Sequence, residues 1–137
     1  MPIYLLDSNI LSDMMRNPRG QTARTFERKA HEMETRLTTS IIVACEMHYG
    51  AVRRGSTSLA QRVDRVLASV EVISLSSGAD DAYALLRADL ERRGQVIGQN
   101  DMLIAAHALA LDAILVTDNV REFKRVKGLK IENWLRS

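Results

Sequence analysis

Cysteine is nearly absent from this chain: Cys45 stands alone, which excludes an internal disulfide and any cysteine-rich metal centre. A reducing cytoplasm is the expected compartment. Long apolar runs are missing as well. Nearly half of the 137 residues are apolar, yet no stretch reaches the length of a membrane span. The N-terminal apolar run Ile3-Tyr4-Leu5-Leu6 stops at Asp7 without a basic segment before it, so it does not read as a signal peptide. Charge of one sign is also scarce. A net +2 is too small to argue for a nucleic-acid partner by itself. No repeat, low-complexity tract or linker interrupts the chain, and its length suits a single domain over residues 1–137. A chain of this size buries roughly 68% of its unfolded surface, enough for a core without staples.

What is present is an alternation of strands and helices. Met1 to Leu6 reads as a continuously apolar strand, Asn9 to Asn17 as a helix capped by Ser8, and Gln21 to Glu34 as a polar helix. A short strand over Arg36 to Thr39 leads to a helix capped by Ser40 and stopped at Gly55. A helix over Thr57 to Ser69, a strand over Val70 to Leu75 and a helix ending at Gly94 follow. The loop from Gly94 to Gln99 lacks the Lys-Ser/Thr ending of a phosphate loop. Asn100 is the expected cap of an almost wholly apolar helix from Asp101 to about Leu111. A strand over Ala113 to Thr117, a short helix around Arg121 to Arg125 and a strand near Leu129 to Ile131 complete the chain. This order predicts an α/β fold: a three-layer α/β/α sandwich around a central, mainly parallel sheet.

Seventeen acidic residues are available, and the informative ones sit where structure does not want them. Asp7 ends a buried strand, where an open α/β sheet places its ligand crevice. Its competing role is a helix cap, for which Ser8 is a second candidate. Glu46 shares a helix face with Ile42, Val43, Tyr49 and Gly50; a carboxylate on a buried apolar face needs a partner or a metal. Arg53 or Arg54 is the alternative partner. Asp101 opens the apolar helix, where backbone N–H groups and the dipole favour its ionised form. Asp118 and Asn119 follow a strand end, as Asp7 does. Asp80 and Asp81 are ordinary first-turn residues. Cys45 is expected to be small and buried, His107 to be packed structurally, and Trp134 to close the core or a dimer face.

Carboxylates gathered at one sheet edge repel unless a cation neutralises them. Oxygen ligands without His or Cys partners select Mg²⁺, or Mn²⁺, over zinc. A carboxylate-held Mg²⁺ is a tool of phosphoryl chemistry, so the residues by themselves indicate a metal-dependent phosphoester hydrolase. A basic rim fits that reading: Arg16, Arg19, Arg24, Arg28 and Lys29 early, Arg53 and Arg54 together, and Arg121, Lys124, Arg125 and Lys127 late. With aromatics at 4%, phosphate contacts rather than base stacking are the expected source of affinity. A phosphate-accepting receiver domain is the reading from another class. It requires a lysine at a late strand tip and an acidic pair; Lys130 falls within a strand and the pair is missing. A non-catalytic binding domain is the third, and it predicts lost acids.

Four segments carry a family resemblance: Leu5-Leu6-Asp7-Ser8-Asn9, Glu46-Met47-His48-Tyr49-Gly50, Asn100-Asp101-Met102-Leu103-Ile104-Ala105-Ala106-His107-Ala108, and Leu115-Val116-Thr117-Asp118-Asn119-Val120-Arg121-Glu122-Phe123. In order and spacing the chain resembles the PIN-domain ribonucleases, and among them the VapC and FitB toxins of toxin–antitoxin pairs. The resemblance implies Mg²⁺- or Mn²⁺-dependent endonucleolytic cleavage of RNA that leaves a 5′-phosphate. It implies that Asp7 and Asp101 are the main metal ligands and that Glu46 binds metal or orients the attacking water. It places the fourth acidic position at Asn119, with Asp118 beside it, and it puts Ser8 where Thr is usual, with a hydroxyl able to reach Asp7. Its implied partners are an RNA substrate, a second copy of the chain and a VapB-like antitoxin through which operator DNA is bound, with no membrane.

Overall fold

The computed structural model describes residues 2–136; Met1, expected to begin the first strand, and Ser137 lie outside them. Five parallel strands form one sheet, the first at its centre, with the second and then the third on one side and the fourth and then the fifth on the other. β1 (Ile3–Leu6) is central because it is apolar throughout and its residues Tyr4, Leu5 and Leu6 are buried. From it the chain moves outward through α1 (Ser8–Arg16), α2 (Gln21–Ala30), β2 (Arg36–Ser40), α3 (Ile41–Arg54), α4 (Thr57–Ala68) and β3 (Glu71–Ile73). It then crosses back through α5 (Ala79–Arg92) and α6 (Gln99–Leu111) to β4 (Ile114–Val116), on the other side of β1, and ends with α7 (Val120–Phe123) and β5 (Lys130–Glu132). Helices α1 to α4 pack on one another and α5 packs on α6. Right-handed crossovers require these two groups to cover opposite faces of the sheet, the α/β/α sandwich expected.

The reversal between β1 and β4 decides where a ligand belongs. Their registers pair Leu6 with Val116, so the residues that follow, Asp7 and Thr117, emerge side by side at the carboxyl ends of adjacent strands. Under this edge lies α6. Being apolar around its whole circumference, it buries Met102, Ile104, Ala105, Ala106, His107 and Ala108.

Several boundaries moved for local reasons. Asp7, not Ser8, caps α1, and Ser8 is the first helical residue. Gly98 rather than Asn100 precedes α6, so Asn100 lies inside the first turn with its amide free for other work. α2 stops at Ala30, four residues short of Glu34, which adopts a left-handed φ of 66°. Cys45 is exposed, against expectation. The buried stripe of α3 is Val43, Ala44, Met47 and Ala51, while Tyr49 is exposed. Trp134 closes the core, its ring centroid 5.4 Å from that of Tyr4. Among the described residues no helix is long and apolar enough to cross a membrane.

Candidate active site

Asp7 is the anchor. Only 4% exposed, it accepts hydrogen bonds from the Ser8 amide (2.8 Å), the Thr117 hydroxyl (2.8 Å) and the Asn9 side-chain amide (3.4 Å). Burial raises its pKa, and the three donors oppose that rise. Ser8 reaches Asp7 through its backbone rather than through the hydroxyl expected of it. The donors are themselves fixed. Asn9 Nδ2 also donates to Thr117 Oγ1 (3.2 Å), while Asn9 Oδ1 accepts from the Asp118 amide (3.0 Å) and Thr117 Oγ1 accepts from the Asn119 amide (3.0 Å). This network ties the start of α1 to the turn after β4 and holds one carboxylate in one orientation.

Glu46 and Asp101 approach from α3 and α6. Glu46 is half-buried at the flank of its helix, and burial pushes its pKa up, opposed by the Asn100 amide at 3.5 Å and reinforced by the charge of Asp7. No ion pair with Arg53 or Arg54 forms. Asp101 is pushed up to about 7. Burial acts first, then the charge of Asp7, a carboxyl–carboxyl hydrogen bond with Glu122, and the charges of Glu122 and Glu46. Gly98 lets the backbone pass this carboxylate, since a Cβ there would stand 3.2 Å from Asp101 Oδ2.

A further carboxylate, Glu122 at the third position of α7, stands beside Asp101. Sequence reasoning passed over it. Asp118 turns outward, its carboxylate held by Asn133 Nδ2 (3.0 Å) and Arg136 Nε (3.1 Å), and the first of these bonds is the main cause of its lowered pKa. Asn119 is adjacent but serves Glu122, donating from Nδ2 to Oε2 at 3.0 Å. The available signal was spacing: Glu122 follows Asn119 by three residues, one helical turn, and precedes the fully buried Phe123. Asn9 and Thr117 were likewise not singled out. A threonine at the end of an apolar strand, here wholly buried, was their signal.

The arrangement brings Asp7, Glu46, Asp101 and Glu122 together at the edge where β1 and β4 diverge. A family model for the PIN domain matches residues 4–129. The chain belongs to the PIN-domain family. Among its relatives, the ribonuclease VapC2 of Rickettsia felis is 37% identical over 133 residues, spanning 96% of this chain and 98% of the relative. The tRNA(fMet)-specific endonuclease VapC of Shigella flexneri is 29% identical over 135 residues, covering 96% and 97%. The solved structure of VapBC2 from Rickettsia felis, bound to a DNA fragment from its promoter, superposes with a TM-score of 0.88 at 36% identity, covering 96% and 98%. The chain is thus a PIN domain of the VapC type.

The donor chemistry of this PIN domain fits a hard divalent cation. Its four acids are oxygen donors with no His or Cys among them, and among the described residues none forms an ion pair with Lys or Arg. Among the described residues no cation offsets their charge, and that charge adds to burial, the larger cause, in raising the pKa of Asp101. Among the described residues no three His, Cys, Asp or Glu side chains converge tightly enough to hold an ion together. Mg²⁺, which retains several waters and takes one or two carboxylates, fits such oxygen donors better than an ion needing a closed protein cage.

Proposed function

We propose that this chain is a metal-dependent endoribonuclease, the toxin of a toxin–antitoxin pair. The observation that carries the proposal is the set of four carboxylates, without a counter-cation among the described residues, at the switch point of the sheet. Asp7 and Asp101 would hold Mg²⁺, or Mn²⁺ in its place, which supplies positive charge to the phosphodiester and lowers the pKa of a bound water. The protein does the positioning. Ser8, Asn9 and Thr117 fix the direction of the Asp7 lone pairs. Glu46, its pKa raised and its carboxylate steadied by Asn100, is placed to orient the attacking water and accept its proton. Glu122, steadied by Asn119, shares the charge of Asp101.

The nature of the relatives supports the biological setting. Two of them are named as a ribonuclease and a transfer-RNA endonuclease, and the structural relative is a VapBC complex on promoter DNA. The proposal therefore includes a VapB-like antitoxin, operator DNA reached through it, a homodimeric toxin and a cytoplasmic setting. Cleavage of RNA with Mg²⁺, comparing wild type with Asp7→Asn and Asp101→Asn, is the test. Each substitution is expected to lower the rate by about 100-fold or more, the worth of several kcal/mol of charge stabilisation. If both variants cut as fast as wild type, the metal-site reading is wrong.

A further inference from the structure

A groove leads away from the acidic site between α1, α3 and α4. Its volume is about 420 Å³, and its lining runs from Ser8 and Glu46 at the site end to Arg16, Arg54 and Arg62. Each arginine comes from a different helix. None of the three forms an ion pair with a carboxylate among the described residues. The contrast with α5 is direct: there Arg87 pairs with Glu91, and Arg92 and Arg93 pair with Asp89. Convergent guanidiniums left unneutralised, with their planar forks of donors, form a site for oxyanions.

A second, independent feature is Gly50. It lies inside α3, where glycine costs about 1 kcal/mol relative to alanine. Packing does not explain it, because a Cβ built there meets nothing within 4 Å, and its φ is not in the left-handed region. Gly50 lines the same groove. A glycine that no protein neighbour requires, facing a groove walled by free arginines, keeps room for something outside the chain.

Resting on the nuclease reading above, we infer that Arg16, Arg54 and Arg62 form a phosphate track for the single-stranded RNA backbone on one side of the scissile bond. Gly50 provides the clearance for the strand. Glu46 marks the end of the track, so the nearest phosphate bound by the arginines is a neighbour of the one that is cut. The arginines contact the backbone and not the bases, so the track supplies affinity and register without choosing a sequence.

The test is binding of a 12-nucleotide single-stranded RNA in EDTA, which withholds the divalent ion that cleavage needs, measured by fluorescence anisotropy across a range of salt. Arg16→Gln, Arg54→Gln and Arg62→Gln are each expected to raise Kd roughly 3- to 10-fold and to reduce the salt slope by about 0.7, the loss of one phosphate contact. Arg87→Gln, on the far helix, should change neither. Single methylphosphonate linkages in the oligonucleotide should weaken wild type at two or three adjacent positions, and the matching arginine variant should no longer sense that substitution. Gly50→Gln should raise the melting temperature, because glutamine is the better helix former, while weakening RNA binding. That opposite movement separates a blocked track from a damaged fold. Unchanged Kd and slope in the triple arginine variant, with RNA cleavage by wild type intact, overturns the track and leaves the nuclease reading standing. Unchanged RNA binding together with weakened binding of the antitoxin assigns the groove to the protein partner instead, and also overturns it. A wild type that neither binds nor cuts RNA overturns both.

Discussion

At the residue scale the site is a problem of carboxylates that are partly buried and close to one another. The ordinary pKa of an aspartate is 3.8 and that of Asp101 is raised to about 7. A carboxyl group whose folded pKa lies above its unfolded one favours folding fully below the unfolded value, and that contribution is lost as pH rises through the folded value. The metal-free protein should therefore melt lower at pH 8 than at pH 6. Asp101→Asn removes the charge, so in the presence of a chelator it should raise the melting temperature at pH 8 by about 3–5 °C, solvent screening of this half-buried group limiting the gain. Parallel melting curves of the variant and wild type across pH 5–8 would contradict the assigned repulsion. A companion substitution locates the fourth acid. Glu122→Gln should lower the initial rate of RNA cleavage by roughly 10-fold or more, as loss of a supporting group at a metal site does, whereas Asp118→Asn, at a carboxylate turned toward Asn133 and Arg136, should stay within about twofold of wild type. The reverse order of effects would restore Asp118.

At the element scale, the junction of β2, α3 and α6 matters most. Ser40 Oγ accepts the Ile42 amide at 3.1 Å, capping α3, and lies 2.8 Å from His107 Nδ1 on α6. Both side chains are wholly buried. One hydroxyl thus joins the helix that carries Glu46 to the helix that carries Asp101. Ser40→Ala removes the cap and strands a buried imidazole nitrogen, so it should destabilise the protein by about 2–3 kcal/mol in urea unfolding. A loss below about 0.5 kcal/mol would mean that the junction is not rigid. Burial also depresses the pKa of His107, with the Ser74 backbone opposing. The sign here is opposite to that of Asp101: the contribution is present above the ordinary value of 6.5 and lost as pH falls through the depressed one. In the absence of metal the two groups therefore oppose one another below neutrality: as pH falls, His107 costs stability while protonation of Asp101 restores it.

At the scale of the whole molecule, the proposed metal site would link ion binding to folding, because a divalent ion there would relieve a repulsion that only the folded chain creates. Ligand at 100 times its dissociation constant stabilises the native state by about 2.7 kcal/mol. Adding Mg²⁺ should raise the melting temperature more at pH 8 than at pH 6, where protons already neutralise part of the cluster, and Asp7→Asn or Asp101→Asn should abolish the increment. An equal increment in wild type and both variants would show that the ion binds elsewhere. The same charge logic organises the surface: cations on α5 are matched by carboxylates, while Arg16, Arg54 and Arg62 beside the acidic site are not.

Local pattern determined much of this protein. The apolar run Ile3-Tyr4-Leu5-Leu6 made a central strand because only a strand covered on both faces tolerates four apolar residues in succession. Ser40 and Gly55 bounded α3 where their side-chain and backbone preferences required it. Asp7, Glu46 and Asp101 were legible because each carries charge in an apolar setting. Tertiary structure decided the rest, because those features depend on which strand ends meet. Cys45 and Tyr49 lie on an uncovered side of α3, which periodicity alone cannot orient when most of the helix is apolar. Asp118 and Glu122 are both acids near one turn. Only the fold shows that Asn133 and Arg136 claim the first, and that Asp101, reached through the β1–β4 crevice, meets the second.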